Sequence, residues 1–351
     1  MNILYGVPGE GMGHATRSKV VIEHLLKTHN VQVVSSSRAY QFLRKAFPGR
    51  VHEIKGLHFA YKNAQVSKLG TFLLNLKSAP SSLLHNFSQY LFIDKSFKPD
   101  LIISDFESFT SFFAKQHRIP LLSVDNMQVM DRCQLDIAIP AEEKNNYRLA
   151  KSIVGAKVPG CKHYFITSFF DAPIRKGDTS LVPPIVRDII CQASVSSRAH
   201  VLVYQTSSSL AGIKQVLHQI PDLQFYVYGF NKDEKDKNVV FKTFSETGFV
   251  EDLASAKAVI ANGGFSFLSE AVYLKKPVYA FPVKNQFEQF MNAAYIQKMG
   301  YGRHFAELEA DHLKAFLYDL PLFTQQLASY HQEGNALLFQ ALDQSINALE
   351  S

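Results

Sequence analysis

The sequence contains no tryptophan, only three cysteines, and no uninterrupted apolar run of the ~20 residues that a bilayer-spanning helix requires. The shortness of those runs argues against a membrane-spanning helix. Cys133, Cys161 and Cys191 are odd in number and widely spaced, which fits neither a disulfide framework nor thiolate metal ligation and suits a reducing compartment. No basic leader precedes the first apolar run, so the chain reads as cytoplasmic. The missing tryptophan, set beside 28 phenylalanines, is a matter of packing alone. Also lacking is any basic block interleaved with stacking aromatics. The formal charge of +6 therefore points away from nucleic acid and towards an anionic membrane face or a phosphate-bearing ligand.

What is present is a rhythm. Short β-branched runs alternate with longer amphipathic segments: "NILYGV", "VQVVSSS", "RVHEIKG", "DLIISD", "IPLLSVD" and "HYFITSF", the pattern of a parallel sheet with crossover helices. A proline-rich passage, "TSLVPPIVRDII", interrupts it; the rhythm restarts with "HVLVYQT", "LQFYVYG", "VVFKTF", "AKAVIANGG", "KPVYAFP" and "GYGRHF". The expected fold class is α/β, with two Rossmann-like, doubly wound parallel-sheet domains facing across a cleft. The expected boundaries are 1–185, 186–325 and a helical terminal segment, 326–351. Ligands in open α/β sheets bind beyond the carboxyl ends of the strands, where strand order reverses, between the first and fourth strands. That rule selects the loop after "NILYGV" and the end of "DLIISD" in the first unit, and "QTSSS" and "NGGFSFLSE" in the second.

The first selected loop is "GEGMGHATRS". Its glycines, Gly9, Gly11 and Gly13, alternate instead of following G-x-G-x-x-G, and the second strand ends in serines where a ribose-binding acid belongs, which counts against a dinucleotide site. The loop reads better as a wide turn that admits another molecule close to the backbone while His14 projects from the start of the next helix. Alone, such a histidine is more often a cap or a packed side chain. Asp105, at the end of the neighbouring strand, changes the weighing, because a carboxylate that fixes an imidazole tautomer builds a general base. Otherwise Asp105 is a cap for the helix beginning near Glu107, and Glu107 is a competing base.

In the second unit "ANGGFSFLSEAV" reads as strand, glycine turn and helix, with the amides of Gly264, Phe265 and Ser266 placed to bind an anion. One helix end gives only ~0.3–2 kcal/mol to a negative group, so a diphosphate needs further donors, which the serine loop across the switch point supplies. Ser266 and Glu270 are four apart on one helical face, and a carboxylate there suits the hydroxyls of a ribose. Glu288, Gln289 and Asn292, on the loop and first turn after the next strand, are the polar set that a sugar ring demands. A helix cap with a solvated glutamate, and ordinary helix-start polarity, are the plain alternatives.

The combination resembles the GT-B glycosyltransferases, and within them the MurG-type N-acetylglucosaminyltransferases and the UDP-glycosyltransferases. The resemblance runs over almost the whole chain. Its most specific part is "AKAVIANGGFSFLSEAVYLKKPVYAFPVKNQFEQFMNAAYIQKMGYG", similar to the family's donor-binding block: a glycine pair, a ribose-binding glutamate at Glu270, then Glu288, Gln289, Asn292 and Ala293. "GMGH" is similar to the family's N-terminal Gly-His turn, and "LIISDFESF" to the strand end carrying the aspartate that pairs with its histidine. Asn262 stands where relatives place a phosphate-contacting histidine, and Ser266 where they often have asparagine. "GFVEDL" is similar to the base-recognising segment, which makes Phe249 and Val250 candidates for a uracil wall.

The resemblance implies an inverting, metal-independent transfer of a sugar from a UDP-type nucleotide sugar to an acceptor hydroxyl, in cell-envelope glycan or glycolipid synthesis. His14 is then the base and Asp105 its orienter, with Gly11 and Gly13 making room for the acceptor. The amides of Gly263, Gly264, Phe265 and Ser266, with Ser207 and Ser208, hold the leaving diphosphate, so no metal and no cofactor beyond the donor is expected. The last helix is expected to brace the first domain. Residues 56–92 mix Phe and Leu with Lys62, Lys68 and Lys77; a core helix with snorkelling lysines is the plainer account, and a peripheral contact with an anionic membrane that presents a lipid-linked acceptor is the other. Two other classes fit the same pocket: a nucleotide-sugar epimerase, and a non-catalytic nucleotide-sugar-binding protein.

Overall fold

The computed structural model describes residues 1–9, 11–55, 86, 88–205 and 212–350, together with the backbone of Tyr61–Lys62 and Gln65–Val66. The chain forms two compact units, Met1–Ile185 with Asn335–Ser351, and Val186–Gly334.

Unit 1 is built on strands β1 (Asn2–Val7), β2 (Asn30–Ser35), β3 (Val51–Glu53), β6 (Leu101–Ser104), β7 (Leu121–Asp125), β8 (His163–Thr167) and β9 (Thr179–Val182). Tyr61–Lys62 (β4) and Gln65–Val66 (β5) form a separate antiparallel pair. The main sheet runs β3-β2-β1-β6-β7-β8-β9, with every pairing parallel. Its interior strands are apolar on both faces, as a sheet covered by helices on both sides demands: β1, β6 and β7 are almost wholly buried. Strand order reverses at β1, which lies between β2 and β6.

Unit 2 carries β10 (His200–Tyr204), β11 (Gln224–Tyr228), β12 (Glu234–Asp236), β13 (Val239–Phe241), β14 (Ala258–Ala261), β15 (Val278–Ala280) and β16 (Gly302–His304). The order is β12-β13-β11-β10-β14-β15-β16, and β12 alone is antiparallel. The reversal falls at β10, between β11 and β14. Both units are thus doubly wound parallel-sheet α/β layers.

The crossing between units lies at Ile185 and Val186, inside the proline-rich passage, and that passage also contributes β9, an edge strand. The return to unit 1 begins at Asn335 instead of 326. Helices Ala310–Tyr318 and Leu320–Ala328 stay in unit 2, because Leu313, Phe316, Leu320 and Phe323 pack into the core that holds Val201, Val227 and Ile260. The last helix, Ala336–Glu350, lays Leu338, Leu342 and Ile346 into the unit 1 core with Ile22, Leu25 and Val31. These three residues recur every fourth position, one face of a helix, and each buried aliphatic chain stabilises by about 1.5–3 kcal/mol. His24 adds a polar clasp, with its Nε2 2.9 Å from Asp343 Oδ1 and its ring stacked on Phe339.

Candidate active site

In unit 1 the chain leaves β1 through a turn in which Gly9 is packed against Ser36; a Cβ there would lie 2.7 Å from the Ser36 carbonyl oxygen. Gly11 follows with φ +85°, and a Cβ there meets nothing within 4 Å, so this part of the turn is open. The helix Met12–Leu25 starts immediately, placing Gly13 and His14 on its first turn and Arg17 and Ser18 one turn on, the spacing that puts His14, Arg17 and Ser18 on one face.

Asp105 follows β6 directly and is fully buried. The structure brings it to His14: Nδ1 of the imidazole is 3.0 Å from Asp105 Oδ1. Arg17 closes the group. Its Nε donates to Asp105 Oδ2 at 2.9 Å, its Nη2 to Oδ1 at 2.5 Å, and its Nη1 to Asn126 Oδ1, while Ser18 Oγ donates to Asp105 Oδ2 at 2.8 Å. Burial pushes the Asp105 carboxyl pKa up, but the charges of Arg17 and His14 and their hydrogen bonds outweigh it and hold the group well below the usual carboxylate range. Arg17 Nη2 is also 2.7 Å from His14 Nδ1. Two neighbours therefore compete for that nitrogen: the carboxylate favours the tautomer protonated there, and the guanidinium favours the tautomer that accepts there.

Glu107 is spent elsewhere. It is the N-cap of the helix Ser108–His117, accepting from the backbone N–H of Phe109 at 2.7 Å and of Thr110 at 2.8 Å, and from Thr110 Oγ1 at 2.9 Å. Both Glu107 oxygens are thus committed to the helix start, and the cap near this strand end is Glu107, not Asp105. Two carboxylates only two residues apart serve different elements because Phe106 between them takes the left-handed conformation, φ +60°, which breaks the alternation of a strand.

In unit 2, β14 is followed by Asn262 and Gly263, and the helix Phe265–Tyr273 begins after Gly264. Gly263 has φ +99°, and a Cβ there would stand 2.7 Å from the Gln289 carbonyl oxygen, so both backbone and neighbour require glycine. Gly264 is exposed and, as the N-cap residue, brings no side chain to the helix start. Phe265 is buried and Ser266 half-buried on the first turn.

Several residues expected at the donor have other tasks. Asn292 is fully buried and donates to the Gly263 carbonyl at 3.1 Å, so it fixes the glycine turn from behind and does not face a sugar. Gln289 accepts from Val283 N–H at 3.0 Å and donates to Gln286 Oε1 at 2.6 Å, bracing its own loop. Asn262 donates to the Phe281 carbonyl at 3.2 Å. Phe249 and Val250 are 3% and 4% exposed. Phe249 sits in an aromatic cluster with Tyr204, Tyr228 and Phe267, which corrects its reading as an open wall for a base; the exposed ring of the cluster is Phe244, 5.4 Å from Phe249. Glu288 is half-buried on the first turn of the helix Phe287–Lys298. Ser207 and Ser208 lie outside the described residues, as do Lys68, Lys77 and the side chain of Lys62.

Glu270 is held by a residue that the motif does not contain. Arg187 Nε donates to Glu270 Oε1 at 2.6 Å and Arg187 Nη2 to Oε2 at 2.8 Å, while Nη1 reaches Glu246 at 2.8 Å. Gln205, the residue after β10, stands beside Asn262 by register and is 2% exposed, yet neither of its amide atoms has a partner. An orphaned buried amide next to a glycine turn and a helix start whose N-cap is glycine is the setting in which a polar ligand completes the hydrogen bonding. Arg17 and Arg187 were not foreseen. Only for Arg17 was there a signal, its position one helical turn after His14.

The chain belongs to glycosyl transferase family 1, whose model matches residues 1–321. It is similar to an uncharacterized glycosyltransferase of Methanosarcina acetivorans, 23% identical, covering 86% of this chain and 85% of the relative. Among solved structures it shares its fold with the glycotransferase of kitacinnamycin, at TM-score 0.68, 14% identity and 98% coverage of both chains. It likewise resembles Phytolacca americana UGT2, a structure complexed with UDP-2fluoro-glucose and pterostilbene, at TM-score 0.65, 11% identity and 98% coverage of both chains. The fold is thus of the GT-B type. Among the described residues no helix is long and apolar enough to cross a membrane, and no group of three His, Cys, Asp or Glu side chains could hold a metal ion.

Proposed function

We propose that the chain moves a sugar from a UDP-type nucleotide sugar to an acceptor hydroxyl, with inversion at the anomeric carbon and without a divalent metal. The observation that carries this reading is the half-buried imidazole of His14, 3.0 Å from a buried Asp105 that two further residues hold in place. With Nδ1–H donated to Asp105, Nε2 accepts the proton of the acceptor hydroxyl. The acceptor oxygen bonds to the anomeric carbon, the bond from that carbon to the phosphate oxygen breaks, and the electron pair leaves with the diphosphate. The start of the helix Phe265–Tyr273, with its glycine turn, receives the developing negative charge, and Glu270 reads the ribose. The acceptor is named only by its hydroxyl; the lipid-linked reading rests on residues 56–92, which lie largely outside the described chain.

The test is UDP release from a panel of UDP-sugars with hydroxyl acceptors, measured with and without chelator, and the anomeric configuration of the product read by NMR. His14→Ala is expected to lower kcat by about 10²–10⁴ while leaving the dissociation constant of UDP unchanged. Normal turnover by that variant would remove His14 as the base; abolition of activity by chelator would remove the metal-independent mechanism; and sugar isomerisation without acceptor would replace transfer with epimerisation.

A further inference from the structure

Asp105 and Arg17 form a buried pair whose two members pull His14 in opposite directions. Arg17 is 4% exposed and forks onto the carboxylate, Nε to Oδ2 at 2.9 Å and Nη2 to Oδ1 at 2.5 Å, while Nη1 donates to the Asn126 carboxamide oxygen at 2.5 Å. A two-point pair of this kind matches one charge against the other. The imidazole meets both members at one atom: Nδ1 is 3.0 Å from Asp105 Oδ1 and 2.7 Å from Arg17 Nη2. In the neutral ring Nδ1 either donates to the carboxylate or accepts from the guanidinium. Once the ring takes a second proton, both of its nitrogens are donors. Nδ1 then accepts nothing from Arg17, and a cation stands against a cation. Asp105 favours that charged ring and Arg17 opposes it, at nearly equal range.

We infer that Arg17 is a positioning residue that matches the charge of Asp105 and so keeps His14 in its neutral, proton-accepting form, leaving the aspartate to orient the imidazole without holding it protonated. The inference rests on the proposal that His14 is the base, and adds to it the residue that leaves the base free to act. The other titratable groups on the elements around the cluster do not replace Arg17. Asp125, at the end of β7, accepts from Ser123 Oγ at 2.6 Å and from the Gln128 N–H at 2.9 Å, and burial, with the charge of Asp105 added, raises its pKa. Burial raises Tyr5 on β1 as well, and Glu107 is the cap of the helix that follows. None of these three can supply a cation. Glu10, on the turn before the helix, lies outside the described residues.

The test is the pH profile of kcat/KM for sugar transfer by the full chain as wild type, Arg17→Gln, Arg17→Lys and His14→Ala. Two-bond proton–nitrogen NMR spectra of histidine-labelled protein are recorded beside it, since they read the protonation of the ring without turnover; the His14 signals are those missing from His14→Ala. In Arg17→Gln the acid limb should move to higher pH by about one unit or more, a loss of about tenfold or more on the acid side that is recovered as the pH rises, and the ring should stay charged to correspondingly higher pH. Arg17→Lys keeps the cation and should leave the limb within about half a unit of the wild type, whatever it does to kcat. A limb and a ring titration unmoved in Arg17→Gln would overturn the inference and leave Arg17 a residue of the fold alone. Movement as large in Arg17→Lys would also overturn it, because the fork and not the charge would then be what acts. Thermal melts identify a variant that fails to fold; if Arg17→Gln is one, the wild-type spectrum decides, since a ring carrying both protons at neutral pH would mean that the charge of Asp105 is not matched. No transfer by the wild type, or normal turnover by His14→Ala, would overturn the reading of His14 as the base, and the ring titration would still decide the role of Arg17.

Discussion

Each unit holds a buried carboxylate by two nitrogens of one arginine, Asp105 by Arg17 and Glu270 by Arg187, and the two clamps are set differently. Asp105 lies within hydrogen-bond distance of four nitrogen or oxygen atoms, on His14, Arg17 and Ser18, and its side chain is 1% exposed. Among the described residues Glu270 is bonded only by two nitrogens of Arg187, and its side chain keeps 9% exposure. With about four acceptor sites on a carboxylate, the first is saturated and the second is half used. Asp105 can orient a neighbour but has no capacity for a ligand; Glu270 has both. The buried polar atoms without a partner differ in the same sense. Among the described side chains, in unit 1 they are the hydroxyls of Tyr5, Ser35 and Thr167, whereas in unit 2 they are both amide atoms of Gln205 and Oδ1 of Asn292, at the glycine turn. A carboxamide left unbonded costs more than a hydroxyl, which has one donor to satisfy. Unit 1 thus presents a carboxylate with its bonding complete, and unit 2 keeps in Gln205 an unbonded buried amide of the kind that a polar ligand completes.

The comparison is most sharply tested by breaking the saturated clamp. Arg17→Met leaves Asp105 buried without its cation, and the expected loss is about 3–5 kcal/mol of stability, read from urea melts at neutral pH. The pH dependence has a definite sign. The Asp105 pKa in the fold lies below its ordinary value of 3.8, so its contribution is fully present above that pH and is lost as the pH falls through the lower folded value. The wild type should therefore weaken in acid more steeply than Arg17→Met does. Equal acid slopes for the two proteins would mean that Arg17 is not what holds the carboxyl ionised.

Unit 2 also handles a buried cation differently. Lys276 is 3% exposed and donates to the Ser196 carbonyl at 2.6 Å, not to a carboxylate, and burial lowers its pKa to about 8 from 10.5. Between those values the unfolded chain holds the proton more firmly than the folded one, so stability rises with pH across the window from 8 to 10.5. Lys276→Met lacks this rise. Below pH 8 it should be the more stable protein, by up to about 3 kcal/mol less the ~1 kcal/mol of the lost hydrogen bond, with the gap closing towards pH 10.5. Parallel stability curves would show that the cation carries no burial penalty, and the contrast with unit 1 would fail.

Most of the fold is legible in the sequence because buried parallel strands are apolar on both faces and stand out between helices. "NILYGV" and "DLIISD" announce β1 and β6 in this way, and the reversal rule then pairs the residues that follow them, His14 and Asp105. The pair β4–β5 falls in a stretch that reads as helix, and in the two main sheets two further strands are not legible, for opposite reasons. β12 is Glu-Lys-Asp, a charged antiparallel edge with nothing to bury, and β9 lies in a passage whose prolines read as linker. In unit 2 the unforeseen β12 makes β14 the fifth strand of its sheet instead of the fourth, yet the reversal at β10 is unaffected. The arginines escape for a physical reason common to both. An arginine in a helix or a linker ordinarily reads as a solvated charge, and its burial depends on a carboxylate 88 residues away for Arg17 and 83 for Arg187. Asn292 and Gln289 are legible as polar side chains near the glycine turn, but not as its scaffold, because hydrogen bonding to backbone behind the turn leaves the same composition as hydrogen bonding to a ligand before it.

The smallest expected effect bears on the choice of base. Glu107 follows the same strand as Asp105 and is equally buried, so by composition either carboxylate, or the imidazole beside the first, could take a proton. Its two oxygens accept from two backbone N–H groups of the helix that follows, and burial raises its pKa against those bonds. Glu107→Gln keeps one acceptor and turns an NH₂ towards an N–H that had a partner, so it should lose about 1 kcal/mol of stability, the ordinary value of a helix cap. Turnover should stay within about twofold of wild type, since the capped helix and Asp105 remain in place. A fall of about a hundredfold in kcat with an unchanged melting curve would instead make Glu107 the proton acceptor, and the clamp on Asp105 would then serve only to hold the start of the Met12–Leu25 helix against β6.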